Sequence, residues 1–279
     1  MTFTSKVNKR ARPLLGTVVE IGVSGLEAAE AQELISESFL KIENIERAMS
    51  RFDKQSEVSQ INDLEMNGSL VVSQQLWSIL QLSEYLSTLS RGVFSISAAQ
   101  KNNGRILKLM DERKVCRVAA GSIDLGGIAK GYAVDQAVEY LQNQFTPSGY
   151  VNAGGDIRVF GAPHPIFVRH PLRPSESVVS LELKDAAFAT SAVYHEEKSY
   201  NQSGAVLDPR TGRAVPFGVS ASVMAPTCVM ADALTKCILM LKSEGDTLLH
   251  QFDARGFLVD GEHVTSYPRT EKTITRYAN

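Results

Sequence analysis

Ile123-Asp-Leu-Gly-Gly-Ile-Ala-Lys-Gly-Tyr-Ala-Val-Asp135 is the stretch from which the rest of the chain is read. It sets a carboxylate, a glycine pair and a lysine close together, where an apolar strand gives way to a helical pattern. Ile128, Val134, Ala137, Val138, Leu141 and Phe145 recur at helical spacing, which puts Gly126 and Gly127 at the N-terminus of that helix. Unpaired N–H groups point outward there, the dipole favours negative charge, and glycine admits a ligand close to the backbone. Lys130 adds a positive charge in a first turn whose own electrostatics favour an acid. The combination suits an anionic ligand. The plainer alternatives are a glycine turn with a solvated lysine, or an Asp124–Lys130 ion pair closing the helix start.

Outward from this stretch the chain reads as alternating helices and strands in irregular order. Residues 1–10 are polar and expected to form a flexible tail, with 11–279 a single domain. Val18, Val19 and Ile21 mark a strand, and Ile35, Phe39, Ile42, Ile45 and Met49 form the apolar stripe of a helix from about Glu27 to Met49. Ser56 is a candidate cap for a short turn, and a second helix from Ser73 to about Leu89 carries Leu76, Ile79, Leu82, Leu86 and Leu89 on one face. Trp77 on that helix reads as core. Residues 105–118 read as a hairpin, and Tyr150 to Gly161 as a strand interrupted at Gly154-Gly155 by a bulge or a close backbone approach. Further strands are expected at Val178–Leu183, Phe188–Ser191 and Ser220–Met224, with a turn at Asp208-Pro-Arg-Thr-Gly212. A last helix, from about Thr227 to Leu241, buries Met230, Leu234, Cys237 and Leu241 and places Asp232, Thr235 and Lys236 on its other face. Without a regular strand–helix repeat, the order favours an α+β fold over a doubly wound sheet.

The 279 residues are 43% hydrophobic and 22% charged, enough for one large core. A net charge of -2 gives no bulk electrostatic reason for binding nucleic acid or a membrane surface. Cys116, Cys228 and Cys237 have no disulfide or thiolate-metal spacing, and the five histidines have none for a metal. No apolar run follows the basic residues at the N-terminus, and none elsewhere reaches membrane-spanning length. The chain as given therefore reads as cytoplasmic, or as periplasmic if an export signal has been trimmed.

Eight stretches, in order, carry a more specific reading: Leu15-Gly16-Thr17; Met49 to Asp53 with Ser56-Glu57 and Asn62; Gly92-Val-Phe94; Asp124 to Asp135; Asn152-Ala-Gly-Gly-Asp156; Thr190-Ser191; Asp208 to Gly212; and Ala231-Asp232-Ala-Leu234. Together they resemble the FAD:protein FMN transferase, or ApbE, family, from about Leu15 to Leu241. The resemblance implies a T-fold-like α+β architecture of largely antiparallel sheets packed with helices. It implies FAD as substrate, cleavage at the pyrophosphate with release of AMP, and transfer of FMN to a Thr or Ser hydroxyl of a client flavoprotein. Leu15, Phe52, Phe94, Ser95, Asp124, Lys130 and Val206 fall at its flavin-nucleotide positions, and Asp232 and Lys130 at its catalytic ones. A magnesium ion is implied between the carbonyl of Gly127, Asp232 and a threonine four residues further on.

Four departures accompany the resemblance. Ser95 replaces an aspartate of the flavin loop, Ala205 a histidine before the Asp208 turn, and Lys236 the metal-binding threonine; the segment between Phe94 and Asp124 is short. A lysine donates hydrogen bonds and carries one charge, whereas magnesium needs oxygen acceptors at short octahedral distances, so magnesium binding is expected to be weak or absent. A non-catalytic FAD-binding protein and an FAD pyrophosphatase giving FMN and AMP are the alternatives to transfer. Tighter binding of FAD than of riboflavin is expected, and greater damage from Asp124→Ala than from Asp135→Ala.

Overall fold

The computed structural model describes residues 7–98, 105–192 and 206–267; Ala205 and His195 lie outside them. The chain opens with β1 (Asn8–Leu14), β2 (Thr17–Ser24), α1 (Ala28–Met49), α2 (Glu57–Asn62), β3 (Ser69–Val71) and α3 (Gln74–Leu89). Short strands β4 (Ser97–Ala98), β5 (Leu107–Met110), β6 (Lys114–Arg117) and β7 (Ser122–Ile123) lead to α4 (Ala129–Asn143). Then come β8 (Ser148–Ala153), β9 (Asp156–Phe160), β10 (His164–Arg169), β11 (Ser177–Leu183), β12 (Ala186–Ala192) and β13 (Val219–Ala225). The chain closes with α5 (Cys228–Leu241), a 3-10 turn, α6 (Asp246–Gln251), β14 (Arg255–Asp260) and β15 (His263–Tyr267).

Eight strands form one sheet in the order β1-β2-β8-β9-β12-β13-β14-β15, and every pairing among the described strands is antiparallel. The expected α+β class holds. Helices α1, α4 and α5 cover one face, burying Ile35, Phe39, Ile42, Val134, Leu141 and Leu234 against the inward residues of the central strands. Each such side chain contributes about 1.5–3 kcal/mol. The β10–β11 hairpin carries a second, smaller core, in which Ile166, Val168, Val179 and Leu183 meet Ile157 and Phe188.

Three expectations change. Residues 8–10 belong to β1, paired with Ile21 to Val23, so the strand begins inside the segment read as a tail. Its basic residues, Lys9, Arg10 and Arg12, mark an edge strand kept polar. Gly154-Gly155 is no bulge but the two-residue turn of the β8–β9 hairpin, with Ala153 opposite Asp156. Both glycines have positive φ, +63° and +105°, the backbone that such a tight hairpin turn requires. Phe145 lies beyond the end of α4 with φ +56° and is 91% exposed; its N–H caps the carbonyl of Gln142, so it leaves the apolar stripe.

Ser56 and Ser73 cap α2 and α3 through the N–H groups of Ser59 and Leu76. Helix α5 is capped from outside itself. No side chain of its own N-cap, Thr227, bonds its first turn, and buried Asp135 on α4 accepts from the N–H groups of Cys228 and Val229, each at 2.8 Å. Gly131 allows this close approach, because a Cβ there would stand 2.4 Å from the carbonyl oxygen of Cys228. Thus α4 and α5 are locked together where their N-terminal turns meet.

Candidate functional site

The β1–β2 turn (Leu15-Gly16) and the β8–β9 turn (Gly154-Gly155) lie side by side at one end of the sheet: Gly154 N–H donates to the carbonyl of Val18, and Thr17 packs on Gly154. Asp156 opens β9 at this end, and the N-terminal turns of α4 and α5 come down beside it. The Lys130 ammonium stands 2.8 Å from Asp156 Oδ2 and 3.5 Å from Asp232 Oδ2. The N–H of Gly131 also donates to Asp232 Oδ2, at 3.2 Å. Lys236 closes the group. Its ammonium contacts Asp232 Oδ1 and donates to the Asp232 carbonyl at 2.9 Å.

Two lysines and two carboxylates thus share one site, neutral in sum and graded in exposure. The side chains of Asp232 and Asp156 are 1% and 6% exposed, those of Lys236 and Lys130 18% and 30%. The carboxylates form the floor and the ammonium groups the solvent side. Burial and the neighbouring Asp232 charge push the Asp156 carboxyl up to about 6, against the pull of Lys130 and Lys236. Burial acts the same way on Asp232, but Lys236, Lys130 and the Gly131 N–H outweigh it and hold that carboxyl below its usual range. Lys130 is held firmly protonated: burial opposes its charge, and Asp232 and Asp156 more than compensate.

Asp124 stands apart from this group. Its Oδ1 accepts from Gly126 N–H at 2.9 Å, shaping the glycine turn, and its Oδ2 pairs with Arg51 at 3.3 Å. The plainer alternative, an Asp124–Lys130 ion pair closing the helix start, is not formed: Asp124 pairs with Arg51, and Lys130 is directed toward Asp156 on β9 and Asp232 on α5. Phe52 is 82% exposed, with the Arg51 guanidinium 4.6 Å above its ring. Ser50 holds this loop by accepting from the N–H groups of Phe52 and Asp53. Asn62 fixes β7 on the way into Asp124, exchanging two hydrogen bonds with the backbone of Ile123.

The remaining expected residues divide. Leu15 occupies the β1–β2 turn at φ +57° and donates its N–H to Glu46 at 2.8 Å. Phe94 is buried in the main core, its ring 3.8 Å from where a Cβ on Gly127 would be. Ser95 lines a cavity of about 210 Å³ together with Leu80, Ser83, Ile106 and Ile123. Val206 is half-buried against the core and accepts from Val215 N–H in the loop that contains the Asp208 turn. Thr190 bonds Ser222, and Ser191 bonds Thr235, whose hydroxyl also donates to the Asp232 carbonyl. Trp77 packs against the core, as expected, and buried His170 accepts from the N–H groups of Leu172 and Arg173.

Arg51 and Asp156 went unassigned in the sequence although both lie inside stretches quoted above. Asp156 is 26 residues from Lys130 and 76 from Asp232, and no local spacing links them. It is the hairpin turn at Gly154-Gly155 that aims Asp156 back toward Lys130 on α4.

A magnesium ion between Gly127 and Asp232 does not fit the donors present. Both carboxylate oxygens of Asp232 already face N–H donors, and the third position offers an ammonium in place of an oxygen. Among the described residues, no group of three or more His, Cys, Asp or Glu side chains is placed to hold a metal ion.

An antiparallel sheet backed by helices, with a glycine turn and two lysines beside the N-terminus of α4, defines an α+β protein whose candidate site has the geometry of an anion-binding helix terminus. The chain belongs to the ApbE family, whose sequence profile matches residues 15–104 and 100–257. The FAD:protein FMN transferase of Vibrio cholerae is 26% identical over 271 residues, covering 83% of this chain and 80% of that protein. The protein of the same name from Chlamydia pneumoniae is 26% identical, covering 84% and 82%. The crystal structure of the ApbE protein of Thermotoga maritima superposes with a TM-score of 0.81 at 25% identity, covering 94% of this chain and 97% of that one. The flavin transferase ApbE of Vibrio cholerae shares the fold, with a TM-score of 0.79 at 23% identity.

Proposed function

We propose that this protein is an FAD:protein FMN transferase. The hydroxyl oxygen of a client Thr or Ser bonds to the phosphorus of the FMN half of FAD. The bond from that phosphorus to the bridging oxygen breaks, AMP leaves with that oxygen, and the hydroxyl proton is released. Such a reaction makes its main demand on positioning and on charge neutralisation at the pyrophosphate.

The observation that carries the reading is Lys130, a partly open ammonium held charged between two buried carboxylates at the start of α4. It presents fixed positive charge beside the Gly126–Gly127 turn, where the backbone can approach an anion closely. Exposed Phe52, stacked by Arg51 and tied through it to Asp124, offers an aromatic face next to that turn, suited to a planar ring system. Leu15 lies at the same end of the sheet. Asp124 contributes by shaping the turn and anchoring Arg51, and Asp232 by orienting both lysines. No step of this reading runs through magnesium.

Engagement of Asp232 by Lys236 favours one second reading, an FAD-binding protein without turnover. Incubation with FAD and a candidate client flavoprotein separates the outcomes. Transfer gives a fluorescent client band on a denaturing gel and one AMP per flavin attached. FMN and AMP without a labelled band indicate hydrolysis. FAD recovered intact, although bound, supports the binding protein and overturns the transferase.

A further inference from the structure

We propose that Lys236 is a built-in substitute for a divalent cation, so that this protein grips a pyrophosphate with two ammonium groups, Lys130 and Lys236, and needs no metal. The inference deepens the FAD reading above and rests on it.

The placement of Lys236 carries the argument. Its Cε lies 3.8 Å from where a Cβ on Gly127 would be, and its ammonium contacts both Asp232 Oδ1 and the Asp232 carbonyl. The side chain therefore spans the gap between Gly127 and Asp232, the volume a cation shared by those residues would occupy. On the other side of the same carboxylate, Oδ2 receives Lys130 and the Gly131 N–H. Thr235, which has an oxygen one residue away, is turned aside. Its hydroxyl bonds Ser191 at 2.6 Å and the Asp232 carbonyl at 2.7 Å, and the whole residue is buried. Both carboxylate oxygens and the carbonyl of Asp232, and the Thr235 hydroxyl, are thus already engaged, which suits a hard cation that demands several oxygens poorly.

Lys236 also does what a cation would do at this point. It neutralises Asp232 and keeps that carboxylate from repelling an incoming phosphate, and its partial exposure leaves the ammonium able to donate outward as well. With Lys130 it puts two positive charges on the solvent side of two buried negative ones. A dianionic pyrophosphate meets two donors there, and binding it requires no loading of a metal.

The test is a fluorescence titration of FAD into the full-length protein, once with EDTA and once with millimolar magnesium. The native protein should bind equally in both. Lys236→Thr, which restores an oxygen at this position, should bind roughly tenfold more weakly in EDTA, the loss expected for one charge-assisted hydrogen bond. Magnesium should recover that loss. Calorimetry without flavin should show magnesium uptake by Lys236→Thr and none by the native protein. If Lys236→Thr fails to fold, Lys236→Met keeps the aliphatic stem and should show the same loss in EDTA without rescue. FAD binding by the native protein that requires magnesium, or direct magnesium uptake by it, overturns the proposal while leaving the flavin reading intact. Absence of FAD binding under both conditions overturns the flavin reading, and the proposal with it.

Discussion

At the scale of single residues, Lys130 holds two carboxylates as well as any ligand, so its removal has two consequences that must be measured apart. In Lys130→Met, Asp156 and Asp232 face each other with Lys236 alone between them and the solvent. Breaking a buried ion pair is strongly destabilising, and with Lys130 partly exposed we expect about 2–4 kcal/mol in urea unfolding. Adding Asp156→Asn removes the stranded charge and should return most of that stability. FAD affinity should stay low in the double variant while riboflavin affinity, which owes nothing to phosphates, is unchanged. Recovery of FAD binding together with stability would show that Lys130 is only a structural counter-ion. Asp156 gives a second prediction. Its neighbours are Lys130 from α4 and Asp232, Lys236 and Cys228 from α5, and its carboxyl titrates at about 6 against 3.8 for a free one. Because that value is raised on folding, its stabilising contribution is full below about pH 4 and is lost as the pH rises through about 6. Protonation leaves two ammonium groups facing one carboxylate, so FAD should bind more tightly as the pH falls through that range, and Asp156→Asn should flatten the profile. A slope that survives Asp156→Asn belongs to another group. The glycine turn and Lys130 were legible in the sequence because they lie in one short stretch with its own chemistry, whereas Asp232 and Lys236 were singled out only through the family resemblance. Arg51 and Asp156 were not, because they acquire their meaning from partners far away in the chain.

At the scale of elements, Asp135 shows how a motif residue can mislead. The sequence places it two turns into a helix and away from the ligand, a natural control for Asp124. In the structure it is the cap of a different helix, accepting from the first two N–H groups of α5 and from Arg158 at 2.8 Å. Asp135→Ala leaves those two donors and a largely buried guanidinium without their acceptor, a loss of about 3–5 kcal/mol. We therefore expect it to be the more destabilising of the two variants, with FAD affinity per folded molecule little changed. Asp124→Ala, whose partners are a solvent-facing arginine and one turn N–H, should melt near the native protein and bind FAD less well. Denaturation and titration of both variants decide it: a folded Asp135→Ala protein that cannot bind FAD would place the site further along α4. Helices α1, α3, α4 and α5 were legible to within a residue or two, since each buries a stripe at helical spacing. Strand β1 was hidden by the charges that protect a sheet edge, and the β8–β9 turn by a glycine pair that reads equally as bulge or hairpin.

Across the whole molecule, the site belongs to no single element. The eight-stranded sheet supplies Asp156 and two neighbouring turns at one end, α4 supplies Lys130 and the Gly131 N–H, and α5 supplies Asp232 and Lys236. This dispersal is why order in the sequence revealed the family while geometry was needed to see which charges meet. It also carries a last prediction. A ligand that bridges α4 and α5 binds only when both helices are docked on the sheet, so it stabilises the folded state by mass action. At a hundredfold excess over its dissociation constant that amounts to about 2.7 kcal/mol. For a chain of this size the melting temperature should rise by about 5 °C. We expect that rise with FAD, and an equal rise in EDTA if Lys236 replaces the cation. Riboflavin at the same concentration should give a much smaller one, and Lys130→Met with Asp156→Asn should lose the difference between the two ligands. A melting temperature raised equally by FAD and riboflavin would mean that the flavin ring alone is recognised and that Lys130 and Lys236 serve only the fold.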